Sequence, residues 1–270
     1  MKRLTGKVAI ITGAARGIGR AVARAYAQEG AIVYGADRIS DELELEMLAL
    51  RNAGLEAHAV TTDLLEPNSV TALVERVLSE RGRIDVLANV AGVIVEKHLT
   101  DTTLEDWDRV LNINLRGPFL TCRAVAPAMK AAQSGSIINV SSRAGAIGFA
   151  HEIAYCASKF GLEGLSRAIA QDLTPFDIAV NTITPGVPTQ TSMSEQTYSM
   201  ETRKLWKDPL LITPAFVHLA LQTSSGVHDQ YVNAWETSER LRAEGWDAQS
   251  PNKPASRGQR TSSQSSGGQS

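Results

Sequence analysis

The feature that most constrains the fold is an alternation: short runs of β-branched and aliphatic residues take turns with longer amphipathic segments along most of the chain. Val8 to Thr12 is followed by Ile18 to Glu29, and Ala31 to Ala36 by Asp41 to Asn52. The rhythm continues with strands expected at Glu56 to Thr61, Val86 to Asn89, Ser136 to Ser141 and Ala179 to Thr184. Helical stretches separate them at Ser69 to Arg81, Leu104 to Met129 and Ala154 to Leu173. Strands that alternate with helices cannot pair through tight hairpins, so they build a parallel sheet with helices on both faces. Ile137-Ile138-Asn139-Val140 and Val180-Asn181-Thr182-Ile183 are too apolar or β-branched for exposed strands, which places them centrally. Right-handed crossovers then predict a single α/β domain built on a doubly wound parallel sheet.

Gln190 to Leu210, rich in Thr, Ser and Met, breaks the rhythm just after the strand ending at Thr184 and is expected to form a loop or substrate lid. Met193 and Trp206 in it are candidates to shape an apolar pocket. Helix is expected again at Thr213 to Gln222, with Pro214 in its first turn, and a last strand at Gln230 to Ala234. From Ser250 to Ser270 there is no Val, Ile, Leu, Met, Phe, Tyr or Trp, so that stretch cannot bury enough apolar surface to offset its ordering entropy. The expected organisation is a folded domain over residues 1–247 and a disordered Ser-, Gly- and Gln-rich tail over 248–270.

Charge and composition exclude several classes. A net charge of -2, with basic residues scattered, gives no general field for nucleic acid or an anionic membrane surface. No uncharged apolar run approaches the roughly 18 residues of a membrane span, and Met1 to Lys7 holds no apolar signal core, so a soluble cytoplasmic protein is expected. Cys122 and Cys156 lack metal-ligand spacing and read as unpaired thiols; Cys156 beside Tyr155 is a nucleophile candidate only if a helix points both the same way, which neighbouring positions do not. His58, His98, His151, His218 and His228 show no ligand spacing either, so no metal is expected; His151 is a candidate for the substrate mouth.

Thr12-Gly13-Ala14-Ala15-Arg16-Gly17-Ile18-Gly19 follows the first expected strand and opens the first helix, where backbone N–H groups and the helix dipole can meet a pyrophosphate. The spacing is Gly-x-x-x-Gly-x-Gly, and a glycine string alone is weak evidence. Asp37 closes the second strand 18 residues after Gly19, where a carboxylate can accept hydrogen bonds from an adenosine ribose and repel a 2′-phosphate. This favours NAD over NADP, or Asp37 is an ordinary turn residue. Arg16 and Arg38 pull toward NADP, since either guanidinium can pair with that phosphate. Tyr155 and Lys159 stand four residues apart on a helical stretch, with Ser142 thirteen residues upstream of the tyrosine. At that spacing phenol and ammonium share a face, and the positive charge favours the phenolate, fitting the tyrosine to give or take a proton.

With these residues assembled, the chain over about residues 5 to 240 resembles the short-chain dehydrogenase/reductase family, whose fold is the Rossmann fold. Thr12-Gly13-(x)3-Gly17-x-Gly19 is similar to that family's cofactor loop, Asp63, followed by Leu64, to its adenine-contacting acid, and Asn89-Val90-Ala91-Gly92 to its Asn-Asn-Ala-Gly motif, with Val90 in place of the second asparagine. The resemblance implies an active-site tetrad of Asn114, Ser142, Tyr155 and Lys159. Asn112 and Ser141 are the neighbouring alternatives; the position before Leu115 and the gap to Tyr155 favour Asn114 and Ser142. Pro185-Gly186 resembles the motif beside the nicotinamide, with Thr189 and Thr191 flanking the expected threonine position, held here by Gln190. The closing Val232-Asn233-Ala234-Trp235 departs from the family's Val-Asp-Gly-Gly-like end.

The resemblance implies an NAD-dependent oxidoreductase that interconverts a small-molecule secondary alcohol and its ketone. Tyr155 would be the general acid and base, Lys159 would lower its pKa and hold the nicotinamide ribose, Ser142 would bind the substrate oxygen, and Asn114 would hold a relay water. The alternatives are an NADPH-dependent 3-oxoacyl thioester-type ketoreductase and a catalytically silent nucleotide-binding protein. A homodimer or homotetramer is implied, sharing the face formed by Leu104 to Met129 and Ala154 to Leu173.

Overall fold

A computed structural model of the chain describes residues 2–197 and 199–246; the tail expected over 248–270 lies outside the described residues. The strands are β1 (Val8–Thr12), β2 (Ile32–Asp37), β3 (Ala57–Thr61), β4 (Val86–Asn89), β5 (Gly135–Val140), β6 (Ile178–Thr184) and β7 (Tyr231–Asn233). They form one seven-stranded sheet in the order β3-β2-β1-β4-β5-β6-β7, every pair parallel. The helices are α1 (Gly17–Gln28), α2 (Ser40–Asn52), α3 (Pro67–Arg81), α4 (Leu104–Leu111), α5 (Gly117–Ala132), α6 (Ile153–Leu173), α7 (Ser192–Thr197), α8 (Thr213–Leu219) and α9 (Ala234–Ala243). Among the described residues no helix is long and apolar enough to cross a membrane.

Alternation along fully buried strands divides the interior into two cores. Ala9 and Ile11 of β1 face one side, with Val33, Ala88, Ile138 and Ile183 from the neighbouring strands, and meet Val22 and Tyr26 of α1 and Phe216 of α8. Val8 and Ile10 face the other, with Leu87, Ile137 and Val180, and meet Leu73 and Val77 of α3 and Val125 and Met129 of α5. Chain order turns back between β1 and β4: β2 and β3 lie to one side, β4 to β7 to the other. The crevice beyond the strand ends at that reversal is where such sheets hold ligands.

The structure departs from the sequence expectations in the following respects. Leu104 to Met129 is not one helix: α4 and α5 are separated by a π-helical turn at Asn112–Arg116. Pro118 has no N–H to offer the carbonyl of Asn114, and the amide of Gly117 reaches back five residues to Asn112, so the extra residue absorbs the mismatch. The helix expected to Gln222 ends at Leu219. The segment 190–210 carries the short helix α7 and 3₁₀ turns at Met200–Leu205 and Pro209–Ile212, its ends joined by a bridge between Thr189 and Lys207. Finally, α9 follows β7 directly, where the sequence pattern marked no helix; the Asn233 side chain accepts from the amide of Glu236 and caps it.

Candidate active site

A cleft of ≈ 730 Å³ opens across the carboxyl ends of β1, β2, β4, β5 and β6. The turn after β1 forms one wall. Gly13 has φ +69, and a Cβ there would stand 2.8 Å from Cα of Ala91; a Cβ on Gly19 would meet the carbonyl oxygen of Gly13 at 2.1 Å. Only glycine lets the loop lie this close to β4 and to itself. The Thr12 hydroxyl accepts from the amides of Val90 (3.0 Å) and Ala91 (3.2 Å), tying β1 to the end of β4. That bond uses backbone donors alone, and Val90 packs against the core, so the missing second asparagine does not undo the wall.

The residue before α1, Arg16, gives its helix no side-chain cap. The first-turn amides of α1 therefore keep hydrogen-bonding capacity at the cleft, with the positive end of the helix dipole behind them. At the end of β2, Asp37 accepts from the amides of Ala15 (3.2 Å) and Ile39 (3.1 Å) and holds its carboxylate against the loop. Asp63 and Leu64 line the cleft beyond it; Asp63 accepts from the amide of Leu65 (2.9 Å), fixing that turn. A narrow anionic group fits the glycine turn, and a ribose fits the carboxylate. These residues suit a dinucleotide.

At the other end, Tyr155 and Lys159 lie one turn apart on α6 and both line the cleft, with Ser142 on the turn after β5. The Lys159 ammonium is 5.5 Å from the centre of the Tyr155 ring and donates to the carbonyl of Val140 at 2.8 Å. Burial pushes Lys159 down to about 8, opposed by the negative charge of Glu163 one turn further along α6. Ser142 Oγ accepts from the amide of Ala144 (3.2 Å), which leaves its own O–H to donate. Ser141 also lines the cleft, but its Oγ is buried and has no hydrogen-bond partner among the described residues, so Ser142 is the more accessible hydroxyl.

Of the residues marked in the sequence, Gly13, Arg16, Gly17, Ile18, Gly19, Asp37, Asp63, Leu64, Ala91, Gly92, Ser142, Tyr155, Lys159 and Pro185 converge on this cleft. Three do not. Asn89 is buried behind the wall: its amide donates to Asn139 (2.8 Å) and accepts from Thr121 (2.7 Å), so it fastens β4 to β5 and α5. Asn114 is fully buried in the π turn; it accepts from the amide of Val93 (2.8 Å) and donates to the carbonyl of Val93 (2.8 Å) and to Ser158 Oγ (3.1 Å). Gly186, at φ +77, turns the chain beneath Asn233 and leaves Pro185 at the cleft.

Thr189, Thr191 and Met193 reach the cleft, whereas Gln190 and Trp206 are not part of its wall; Arg203 stacks on the Trp206 ring instead. His151 is outside it too, edge-on to His98 at 4.1 Å. Cys156 accepts from the amide of Phe149 (3.3 Å), and Cys122 is buried and pushed up to about 12 by desolvation, so it stays a neutral thiol. The wall also includes Ile94, Glu96, Arg109, Ile113, Val187 and Thr197, which no motif marked. Arg109 and Thr197 stand on α4 and α7, Ile113 on the π turn and the others on irregular segments, and only tertiary packing decides which of these side chains face inward.

A family model for short chain dehydrogenases matches residues 7–202. The chain belongs to the short-chain dehydrogenase family. The dehydrogenase is 41% identical over 185 residues to a D-threitol dehydrogenase of Mycolicibacterium smegmatis, covering 68% of this chain and 71% of that one. It is 40% identical over 196 residues to a 3-oxoacyl-(acyl-carrier-protein) reductase of Thermotoga maritima, covering 72% and 78%. Among solved structures it resembles a metagenomic short-chain oxidoreductase in complex with NADP, with a TM-score of 0.75, 35% identity, and 86% and 98% of the two chains covered. The dehydrogenase is thus an oxidoreductase of CH–OH groups that works with NAD(P).

Proposed function

We propose that the dehydrogenase interconverts a small-molecule secondary alcohol and its ketone with NAD, and that Tyr155 carries the proton. The observation that carries this reading is the placement of Tyr155 and Lys159, one turn apart, at the cleft beside Ser142. The dinucleotide, when bound, supplies the hydride acceptor or donor. The α1 N-terminus and the Gly13 turn hold its pyrophosphate, Asp37 and Asp63 its adenosine, and Tyr155 and Lys159 with Pro185 its nicotinamide half. In oxidation the Tyr155 phenolate oxygen takes the alcohol proton; in reduction the phenol returns it. The Lys159 ammonium favours the phenolate, since an opposite charge lowers the pKa of an acid. Ser142 Oγ–H donates to the substrate oxygen. Asn114 is a positioning residue, fastening the wall at Val93 to α6 at Ser158, the residue next to Lys159.

Segment 190–210 acts as the lid: Met193 and Thr197 of α7 join the wall, and Thr191 packs on the glycine loop, its Cβ 3.2 Å from where a side chain on Gly17 would begin. Asp37 at the ribose-facing position supports NAD. The NADPH-dependent 3-oxoacyl thioester reading is supported by the Thermotoga relative, by the NADP-bound neighbour, and by Arg38, which lines the cleft and has no ion-pair partner among the described residues. A cytoplasmic homodimer or homotetramer completes the proposal.

Nucleotide binding and turnover test it. NADH should bind tightly and Asp37→Ala should weaken that binding; kcat/KM should favour NAD, and Tyr155→Phe should lose at least about a hundredfold in kcat, the usual worth of a positioned acid or base. A tenfold advantage for NADPH would sink the NAD assignment. Unchanged turnover in Tyr155→Phe would sink the proton-carrier role.

A further inference from the structure

At the adenosine end of the cleft one guanidinium is ion-paired with one carboxylate and lies within the field of a second. Arg16 forms a two-point ion pair with Glu42 in the first turn of α2, Nε to Oε2 and Nη2 to Oε1. Asp37 adds its negative charge to the same guanidinium. Arg16 and Asp37 line the cleft, whereas Glu42 is not part of its wall. A second pair, Arg24 to Glu46, laces α1 to α2 about two turns further along α1 and one along α2, so the contact between these helices does not depend on Glu42.

We infer that Glu42 is a cofactor-selectivity residue: it holds Arg16 away from an incoming 2′-phosphate and places a second carboxylate beside Asp37. The inference rests on the NAD reading and deepens it. A ribose phosphate is recognised through guanidinium pairs. For Arg16 to supply one, it has to leave a partner that already satisfies two of its donors, and the phosphate has to approach two carboxylates. NAD carries no charge at that position and leaves the pair intact. The pair is reachable for this competition, because each side chain is 43% exposed. Arg38, exposed at the same end, is then the cation left to any NADP that binds.

The test is direct binding of NADH and NADPH, followed by nicotinamide fluorescence, to wild type, Glu42→Gln, Arg16→Ala and the double variant. Removing one exposed charge and freeing one guanidinium should tighten NADPH by roughly five- to tenfold. NADH should change by less than about twofold, as expected for an exposed substitution. In the Arg16→Ala background the Glu42→Gln gain for NADPH should shrink to about twofold or less, because the guanidinium it would release is gone. An equal shift for both nucleotides, no gain for NADPH, or a gain undiminished without Arg16 would each overturn the assignment. The two readings fail separately: wild type preferring NADPH removes the NAD reading, whereas the role of Glu42 is read from the change between variants.

Discussion

At the residue scale the decisive trade is at Lys159. Its ammonium is buried and keeps one strong partner, the Val140 carbonyl. Burial holds its pKa at about 8 against an ordinary 10.5. The folded protein therefore binds this proton less tightly than the unfolded chain. Below pH 8 both states are protonated and the full penalty is present; between about 8 and 10.5 it fades as the folded state loses its proton. The shift corresponds to roughly 3 kcal/mol, against roughly 1 kcal/mol for the hydrogen bond to Val140. Lys159→Met should thus abolish turnover while the melting temperature of the nucleotide-free protein at pH 7 stays level or rises. The difference should vanish toward pH 10. Thermal denaturation across that range checks it, and a variant that melts well below wild type at pH 7 contradicts the sign. The site reads as stability given up to keep a charge next to Tyr155.

At the element scale, the end of β7 and the start of α9 clamp the loop after β6. Asn233 caps α9 through Glu236 (3.2 Å), its Oδ1 lies 1.8 Å from where a Cβ on Gly186 would be, and the Trp235 amide donates to the Pro185 carbonyl (3.1 Å). Losing the cap in Asn233→Ala should cost about 1 kcal/mol, or roughly 2–4 °C. Gly186→Ala should cost more, since it adds a collision to a left-handed backbone. The double variant should recover part of the Gly186→Ala loss, because the collision is removed with Asn233; simple addition of the two losses in thermal melts would mean that the contact is unimportant. This clamp also marks what the sequence left hidden. The strands were legible because a β-branched run is buried wherever it pairs, and Tyr155, Lys159 and the glycine loop because their chemistry is written in local spacing. Helix α9 begins with Asn233 and Glu236 at cap spacing, but of its residues only Ala234, Ser238 and Leu241 are buried, too few for an apolar period that sequence alone reveals. The motifs put Asn89 and Asn114 at the cleft, yet whether an amide faces a ligand or a neighbouring strand is decided by partners distant in sequence, here Asn139, Thr121 and Val93.

At the scale of the whole molecule, helices cover both faces of the sheet but the outer sides of α5 and α6 stay bare. Phe119, Arg123 and Pro127 form an outward stripe on α5, and Phe160, Gly164, Arg167 and Ala168 form one on α6. Phe119 is 43% and Phe160 48% exposed, which is a large area of ring to leave in water on adjacent helices. Nothing lies within 4 Å of a Cβ built on Gly164, so another helix can approach this face closely. Both helices also carry the site: α6 bears Tyr155 and Lys159, and the π turn that presents Ile113 to the cleft leads into α5. A second copy seated on this face would stiffen the helix that aligns the phenol with the ammonium, linking assembly to turnover. Light scattering on the wild type should therefore give two or four times 29.0 kDa, and Phe119→Glu with Phe160→Glu should give the 29.0 kDa species. The monomer should keep its nucleotide binding, because the glycine loop and Asp37 lie on β1, β2 and α1, away from that face. A wild type already at 29.0 kDa removes the interface and leaves the two aromatic stripes without a partner of this kind.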